Sequence, residues 1–271
     1  LIDGIGPFFR RHKPKRINWS KIPFTEIETE SGLKPDCLKS IPDDFRTFVR
    51  RAKQLGYNGV TLDDVAHLVT CPEYPAALQS KIEAYRNLFC ELFAIAKQEG
   101  LRVYITMDVM FYNDTLRELL GTSLKKTVAW LRNALHQVLG DFPEIAGIIM
   151  RFGETDGLDV EGDFRSRLIL KRPGQARAFL NHLLPVFEQH ERLLIVRTWS
   201  VGAYKLVDLI WNEKTFQSVF GQLDSPSLVI SMKYGESDFF RYLPLNPLFF
   251  VSNHQKMVEF QARREYEGFG A

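Results

Sequence analysis

Three features are scarce in this sequence of 271 residues, and each scarcity removes a class of protein. There are only three cysteines, Cys37, Cys71 and Cys90, without the spacing of a metal knuckle or a disulfide framework. They fit reduced or buried thiols and favour a reducing, cytoplasmic setting. No apolar run approaches the roughly 18 residues of a membrane span, and the opening LIDGIG is not a signal peptide. The absence of an initial Met suggests a processed or excerpted chain. Charge of one sign is also missing: Lys plus Arg number 35 against 33 Asp plus Glu, a net charge of +2 that gives no reason to expect nucleic acid or an anionic membrane as partner. A basic segment, RRHKPKR (10–16), is the local exception and reads as a solvated stretch.

Sequence motifs are excluded in the same way. No G-x-G-x-x-G or P-loop pattern occurs, so nucleotide binding through a glycine-rich turn is unsupported. Serines lie in no G-x-S-x-G elbow, and no H-x-H or H-E-x-x-H spacing exists to hold a catalytic metal. Neither a metal nor a cofactor is expected.

What is present is alternation. YNGVTLDDV (57–65), LRVYITMDVMF (101–111), IAGIIMRF (145–152), LLIVRTW (193–199) and SLVISMK (227–233) are apolar runs of strand length, and most end in charge. Amphipathic helical patterns lie between them, one starting with Ser40 as N-cap and Pro42 just inside, others over 82–96, 124–138 and 176–187, and a weaker one in 203–220. INWSKIPF (17–24) is expected to be the first strand and PLFFVSN (247–253) the seventh, followed by a helix from His254 to Tyr266 with Glu259 near its start. Continuous apolar strands separated by amphipathic helices imply a parallel sheet buried on both faces. Seven such units in this length point to a single-domain (β/α)8 TIM barrel over 1–271, with the eighth strand unaccounted for.

In a barrel the carboxyl ends of the strands surround one mouth. The residues gathered there would be Asp63, Asp64, Asp108, Arg151, Glu154, Arg197, Trp199, Lys233, Glu236, Asp238 and, from the last unit, Glu259. Carboxylates with a few cations and an aromatic platform, Trp199 or Trp19, suit glycosidic bond cleavage, in which one carboxyl protonates the leaving oxygen and another prepares water or attacks the sugar. Three cations, Arg151, Arg197 and Lys233, would be redundant for a neutral sugar and suggest an acidic one; ion pairs with these same acids are the structural alternative.

Several of these segments resemble the catalytic barrel of the glycoside hydrolase family 67 α-glucuronidases. MKYGESDF (232–239) is similar to the family's K-N-G-P-x-D-F pattern, EFQARREYEG (259–268) to its E-x-Q-x-x-x-E-Y-x-G pattern, and PEIAGIIMRFGETDG (143–157) to the strand that carries a basic residue and then the acid. The resemblance implies Glu154 as general acid, Asp238 and Glu259 as the pair that activates water, and Arg197 and Lys233 as ligands of a uronate carboxylate, with Arg151 where the family has Lys. It implies inverting hydrolysis of an α-linked uronic acid in an oligosaccharide, with no cofactor. The chain departs from the pattern in three places: Glu154 lies three residues after the base rather than four, Asp63 and Asp64 replace two Asn, and Glu236 replaces a Pro. These substitutions add acid near the pocket. A barrel glycosidase of different sugar specificity, or a non-catalytic carbohydrate-binding barrel, are the alternative readings, and the oligomeric state is not legible.

Overall fold

The computed structural model describes residues 1–9, 22–153, 162–200, 204–240 and 242–261. Taken in chain order, the elements begin with β1 (Ile2–Asp3), α1 (Gly6–Phe9), α2 (Phe24–Ile27), α3 (Pro35–Gln54), β2 (Gly59–Asp63) and α4 (Ala76–Gln98). The middle of the chain forms β3 (Arg102–Asp108), β4 (Phe111–Tyr112), α5 (Asp114–Leu120), α6 (Leu124–Asp141), β5 (Ile145–Arg151), β6 (Arg165–Ser166) and α7 (Pro173–Gln189). It closes with β7 (Leu193–Arg197), α8 (Glu213–Phe220), β8 (Leu228–Lys233) and β9 (Gln255–Glu259). Seven strands, in the order β1-β2-β3-β5-β7-β8-β9, form one parallel sheet curled into a half-barrel, and β4 and β6 make a short antiparallel ribbon beside it.

The curl explains why the strands read as apolar throughout. Their residues alternate between two buried clusters. Val103, Ile105 and Met107 of β3, Ile148 and Met150 of β5, and Ile230 and Met232 of β8 pack outward with the helices. Tyr104, Ile149, Ile195 and Val229 pack together on the inner side, with Met257 of β9 against them. Above this inner layer the same alternation delivers Asp63, Asp108, Arg151, Arg197, Ser231, Lys233 and Glu259 toward the mouth. The parallel sheet and its helices agree with the expected barrel. None of the described helices is long and apolar enough to cross a membrane.

Both ends of the sheet differ from the sequence expectation. The first strand is Ile2–Asp3, too short to leave a periodic pattern, whereas Phe24 opens helix α2; residues 17–21 of the expected strand lie outside the described residues. Pro247–Phe250 forms a 3₁₀ turn instead of a strand, because Asn246 caps it with its side-chain oxygen on the Leu248 N–H (2.9 Å) and Pro247 cannot donate to a ladder. The seventh strand is QKMVE, so Glu259 sits at a strand end and not in a helix; its neighbour Phe260 and the exposed Val258 obscure the alternation of an edge strand. Helix α3 likewise begins at Pro35, before the expected Ser40 cap. Pro35 stands at the first helical position, where its missing N–H costs nothing, and burial of Cys37 and Ile41 extends the helix through Pro42.

The inner layer tolerates little addition. A side chain at Gly147 would place its first carbon 2.5 Å from the Leu193 carbonyl oxygen of the neighbouring strand, whereas one at Gly174, in the first turn of α7, meets open space. Gly147→Ala is expected to lower unfolding free energy by about 1–3 kcal/mol as β5 and β7 are forced apart, and Gly174→Ala to raise it by about 0.4–1 kcal/mol. Urea denaturation of the two variants measures both; equal effects would contradict the packing described.

Candidate active site

The site is built on register. Asp108 of β3 lies beside Arg151 of β5, which lies beside Arg197 of β7, which lies beside Ser231 of β8, and Lys233 of β8 pairs with Glu259 of β9. One row of chemistry therefore runs along the carboxyl edge of the sheet. Asp108 is buried, accepting from Arg151 Nε at 2.8 Å and from the Ser166 hydroxyl, which the β4–β6 ribbon brings over it. Arg151 is only 4% exposed. Burial works against its charge, but Asp108 and Asp63 outweigh it, with Arg197 opposing and Asp64 assisting, and the guanidinium's pKa is raised. Removing one partner of so buried a pair costs about 3–5 kcal/mol in typical proteins.

Arg197 and Glu259 form a two-pronged pair, Nε to Oε1 at 2.9 Å and Nη2 to Oε2 at 2.7 Å, and the Ser231 hydroxyl adds a third bond to Oε1 at 2.8 Å. Burial pushes the Glu259 carboxyl up, but Arg197, its hydrogen bonds, Ser231 and then Lys233 overcome this and hold the pKa below the ordinary 4.5. Glu259 is a carboxylate with fixed partners on both oxygens. Asp238 is differently placed. It lies on the loop after β8, its side chain is 23% exposed, and Oδ1 accepts from Lys233 Nζ at 2.7 Å and from the Phe239 N–H at 2.9 Å. Lys233 is 3% exposed, with its ammonium 3.2 Å above the centre of the Trp199 ring and 4.6 Å from that of Phe239.

Asp63, the last residue of β2, and Asp64, which follows it, both have partners within the fold. Asp63 accepts from the Ile22 N–H at 3.1 Å and from the Thr106 hydroxyl. Asp64, joined to it by a cis peptide, caps the following turn through the His67 N–H (3.3 Å) and reaches His67 Nδ1 at 2.7 Å. Both are buried, at 3% and 5% exposure. Glu236 is half-buried on the loop before Asp238. Glu154 and Trp19 lie outside the described residues.

Sequence reasoning missed two parts of this region. Asp3, at the carboxyl end of β1, faces the same row while still meeting solvent: desolvation by its neighbours raises its carboxyl pKa, against the Ile5 N–H, Arg151, Arg197 and the Thr61 hydroxyl. A two-residue strand gave no periodicity to find it by. The second is a buried network in which Glu28 accepts from the Tyr85 hydroxyl (2.8 Å) and Lys81 Nζ (3.3 Å), Lys81 also meets Asp163 (2.5 Å), and His67 stacks on Phe24 at 3.7 Å. These groups come from four separate segments, and only the fold brings them together. Among the described residues no three metal-ligating side chains converge.

No protein-family model matches the sequence, and neither does any curated protein. Solved structures do match. A GH138 enzyme targeting pectin rhamnogalacturonan II superposes over 76% of this chain with a TM-score of 0.54 at 13% identity; the chain spans 24% of that enzyme's length. An endoglucanase covers 70% of the chain and 53% of its own at 13% identity and a TM-score of 0.42. A GH5_18 protein from Streptomyces cattleya, in complex with GlcNAc, covers 70% and 46% at 15% identity and 0.44. The fold is of the (β/α)8 TIM-barrel type, with seven parallel strands among the described residues, and it is similar to that of part of a GH138 enzyme.

The depressed Glu259 pKa has a sign that can be tested. Its ionised form stabilises the fold above the ordinary value of 4.5, and that contribution disappears as pH falls through the lower folded value. Glu259→Gln, which cannot ionise, should be less stable than the parent at pH 7, with the gap narrowing on acidification to about pH 3. Denaturant midpoints at the two pH values report it; a gap independent of pH would remove the ion pair from the stability of the fold.

Proposed function

We propose that the chain is the barrel of an inverting glycosidase whose pocket is the charged row just described. The observation that carries this reading is the convergence of separated carboxylates, Asp238 and Glu259 with Asp3 and Asp108 nearby, on one edge of the curled sheet beside Trp199. Glu154, two residues past Phe152 at the end of β5, is assigned as general acid on the resemblance to α-glucuronidases. Of the two proposed bases, Asp238 takes the proton from water and Glu259 orients the site: water reaches Asp238, whereas Glu259 is bound to Arg197 and Ser231.

In this scheme water oxygen bonds to the anomeric carbon as the glycosidic carbon–oxygen bond breaks. Asp238 receives the water's proton and Glu154 gives its own to the leaving oxygen. The anomeric centre inverts, which requires about 6.5–9.5 Å between the acid and base carboxyls to admit the water. The residues work without a cofactor. The scheme assigns Trp199 as the aromatic contact of the sugar, with Trp19 as the other platform offered by the sequence, and Asp63, Asp64 and Glu236 as further substrate contacts.

For the sugar itself, the resemblance favours an α-linked uronic acid held by Arg197, Lys233 and Arg151. One observation favours a neutral sugar instead: each of these cations has an acid within ion-pair distance, Glu259, Asp238 and Asp108 in turn, so a substrate carboxylate would have to compete for it. A panel of aryl α-uronides and neutral arylglycosides separates the two, since the first reading expects turnover confined to uronides. Binding without turnover across the panel would make the chain a carbohydrate-binding barrel.

Two further outcomes test the chemistry. Glu154→Gln should lower kcat by at least about 100-fold, the usual worth of general acid catalysis, while leaving the thermal midpoint unchanged; near-parental turnover would remove Glu154 from the mechanism. Proton NMR of the first-formed sugar should show the inverted anomer, and a retained one would replace water activation by a covalent intermediate.

A further inference from the structure

We propose that Tyr234 and Phe260 form a stacking platform for a second pyranose ring of the substrate, adjoining the one at the charged row; the proposal rests on the glycosidase reading. Tyr234 follows Lys233 and Phe260 follows Glu259, the two paired residues at the ends of β8 and β9. The strand pleat turns Lys233 and Glu259 into the barrel and their successors outward, onto the rim. The Tyr234 N–H donates to the Glu259 carbonyl at 3.3 Å, which fixes the two aromatic positions side by side. Their ring centres are 5.9 Å apart with planes tilted by 31°, and Tyr234 is 40% and Phe260 75% exposed.

So much uncovered aromatic surface beside the charged row suits a ligand. At 75% exposure Phe260 leaves most of its apolar surface in water, and covering it would be favourable. These exposures leave aromatic surface open to solvent, and a pyranose presents a flat patch of C–H groups of matching size. A ligand with both polar and apolar faces fits a site where charged groups and aromatic rings adjoin. Phe240 and Tyr242, 36% and 74% exposed, continue the aromatic rim along the same loop.

The platform is also held in place before any ligand arrives, which limits the ordering cost of binding. Asn246 is fully buried and ties the loop shut: its N–H donates to the Tyr234 carbonyl at 2.8 Å and its side-chain amide to the Ile210 carbonyl at 2.6 Å. Gly235, next to Tyr234, is so close to Leu243 that an added carbon would lie 2.7 Å from that side chain. Asp238 lies on the segment between Tyr234 and Asn246, so the Tyr234 side of the platform and the proposed base are close in the chain.

The test is affinity electrophoresis of the whole chain through gels containing pectin, glucuronoxylan or carboxymethylcellulose, alongside arylglycoside kinetics, for the parent, Phe260→Ala and Phe260→Trp. The expected result is that Phe260→Ala weakens binding to at least one polymer about tenfold, equivalent to 1.4 kcal/mol, that Phe260→Trp retains it, and that kcat/KM on the arylglycoside is unchanged in both. If the parent binds polymer through Phe260 but turns over no arylglycoside, the platform stands and the glycosidase reading falls. Unchanged polymer retardation in Phe260→Ala overturns the platform, as does a parent that binds none of the polymers. A Phe260→Ala variant that converts a dimer to a monomer in gel filtration while binding polymer like the parent would assign the two rings to a contact between copies, and so also overturns it.

Discussion

The Arg151–Asp108 pair is the interaction on which the rest of the mouth depends. A guanidinium almost wholly withdrawn from water is tolerated only where acids surround it, and Asp108, Asp63 and Asp64 supply that field. Asp108 is in turn pinned by Ser166, which is why the short β4–β6 ribbon matters although it adds little to the core. Once Arg151 is neutralised in this way, the adjacent Arg197 can be matched by Glu259, and the charges continue along the edge as alternating partners. The apolar layer beneath, Tyr104, Ile149, Ile195 and Val229, keeps water from reaching the row from below.

This arrangement separates two kinds of carboxylate. Asp63, Asp64, Asp108 and Glu259 are enclosed by donors and hold the architecture of the mouth. Asp238 is carried on a loop and meets solvent. The distinction follows from position: groups within strands are fixed by register, whereas a loop can present an acid at an angle the sheet does not allow. It is the physical basis of the proposal that Asp238 transfers the proton and Glu259 supports it.

Strands buried on both faces were legible in the sequence because their alternating residues are all apolar, and β3, β5, β7 and β8 fall where IAGIIMRF, SLVISMK and their counterparts place them. The charges at their ends, Asp108, Arg151, Arg197 and Lys233, were legible for the same reason. Edge strands were not. Ile2–Asp3 is too brief, and QKMVE is covered on one side only, so its mixed composition reads as helix, while the more apolar LFFV segment is diverted into a 3₁₀ turn by Asn246 and Pro247. Pairings between acids and bases depend on distances across the barrel that no local pattern encodes, which is why the engagement of Arg197 by Glu259, or of Arg151 by Asp108, becomes visible only in three dimensions.

The enclosure of Lys233 has an optical consequence. Its ammonium lies 3.2 Å above the Trp199 ring, close enough for the cation's field to act on the indole's electron distribution. Excitation of an indole shifts electron density within the ring system, so the colour of its emission depends on where that positive charge sits. Trp199 is therefore a built-in chromophore for the neighbourhood of Asp238: any ligand that draws Lys233 aside, or takes its place over the ring, changes the fluorescence of the chain without an added label.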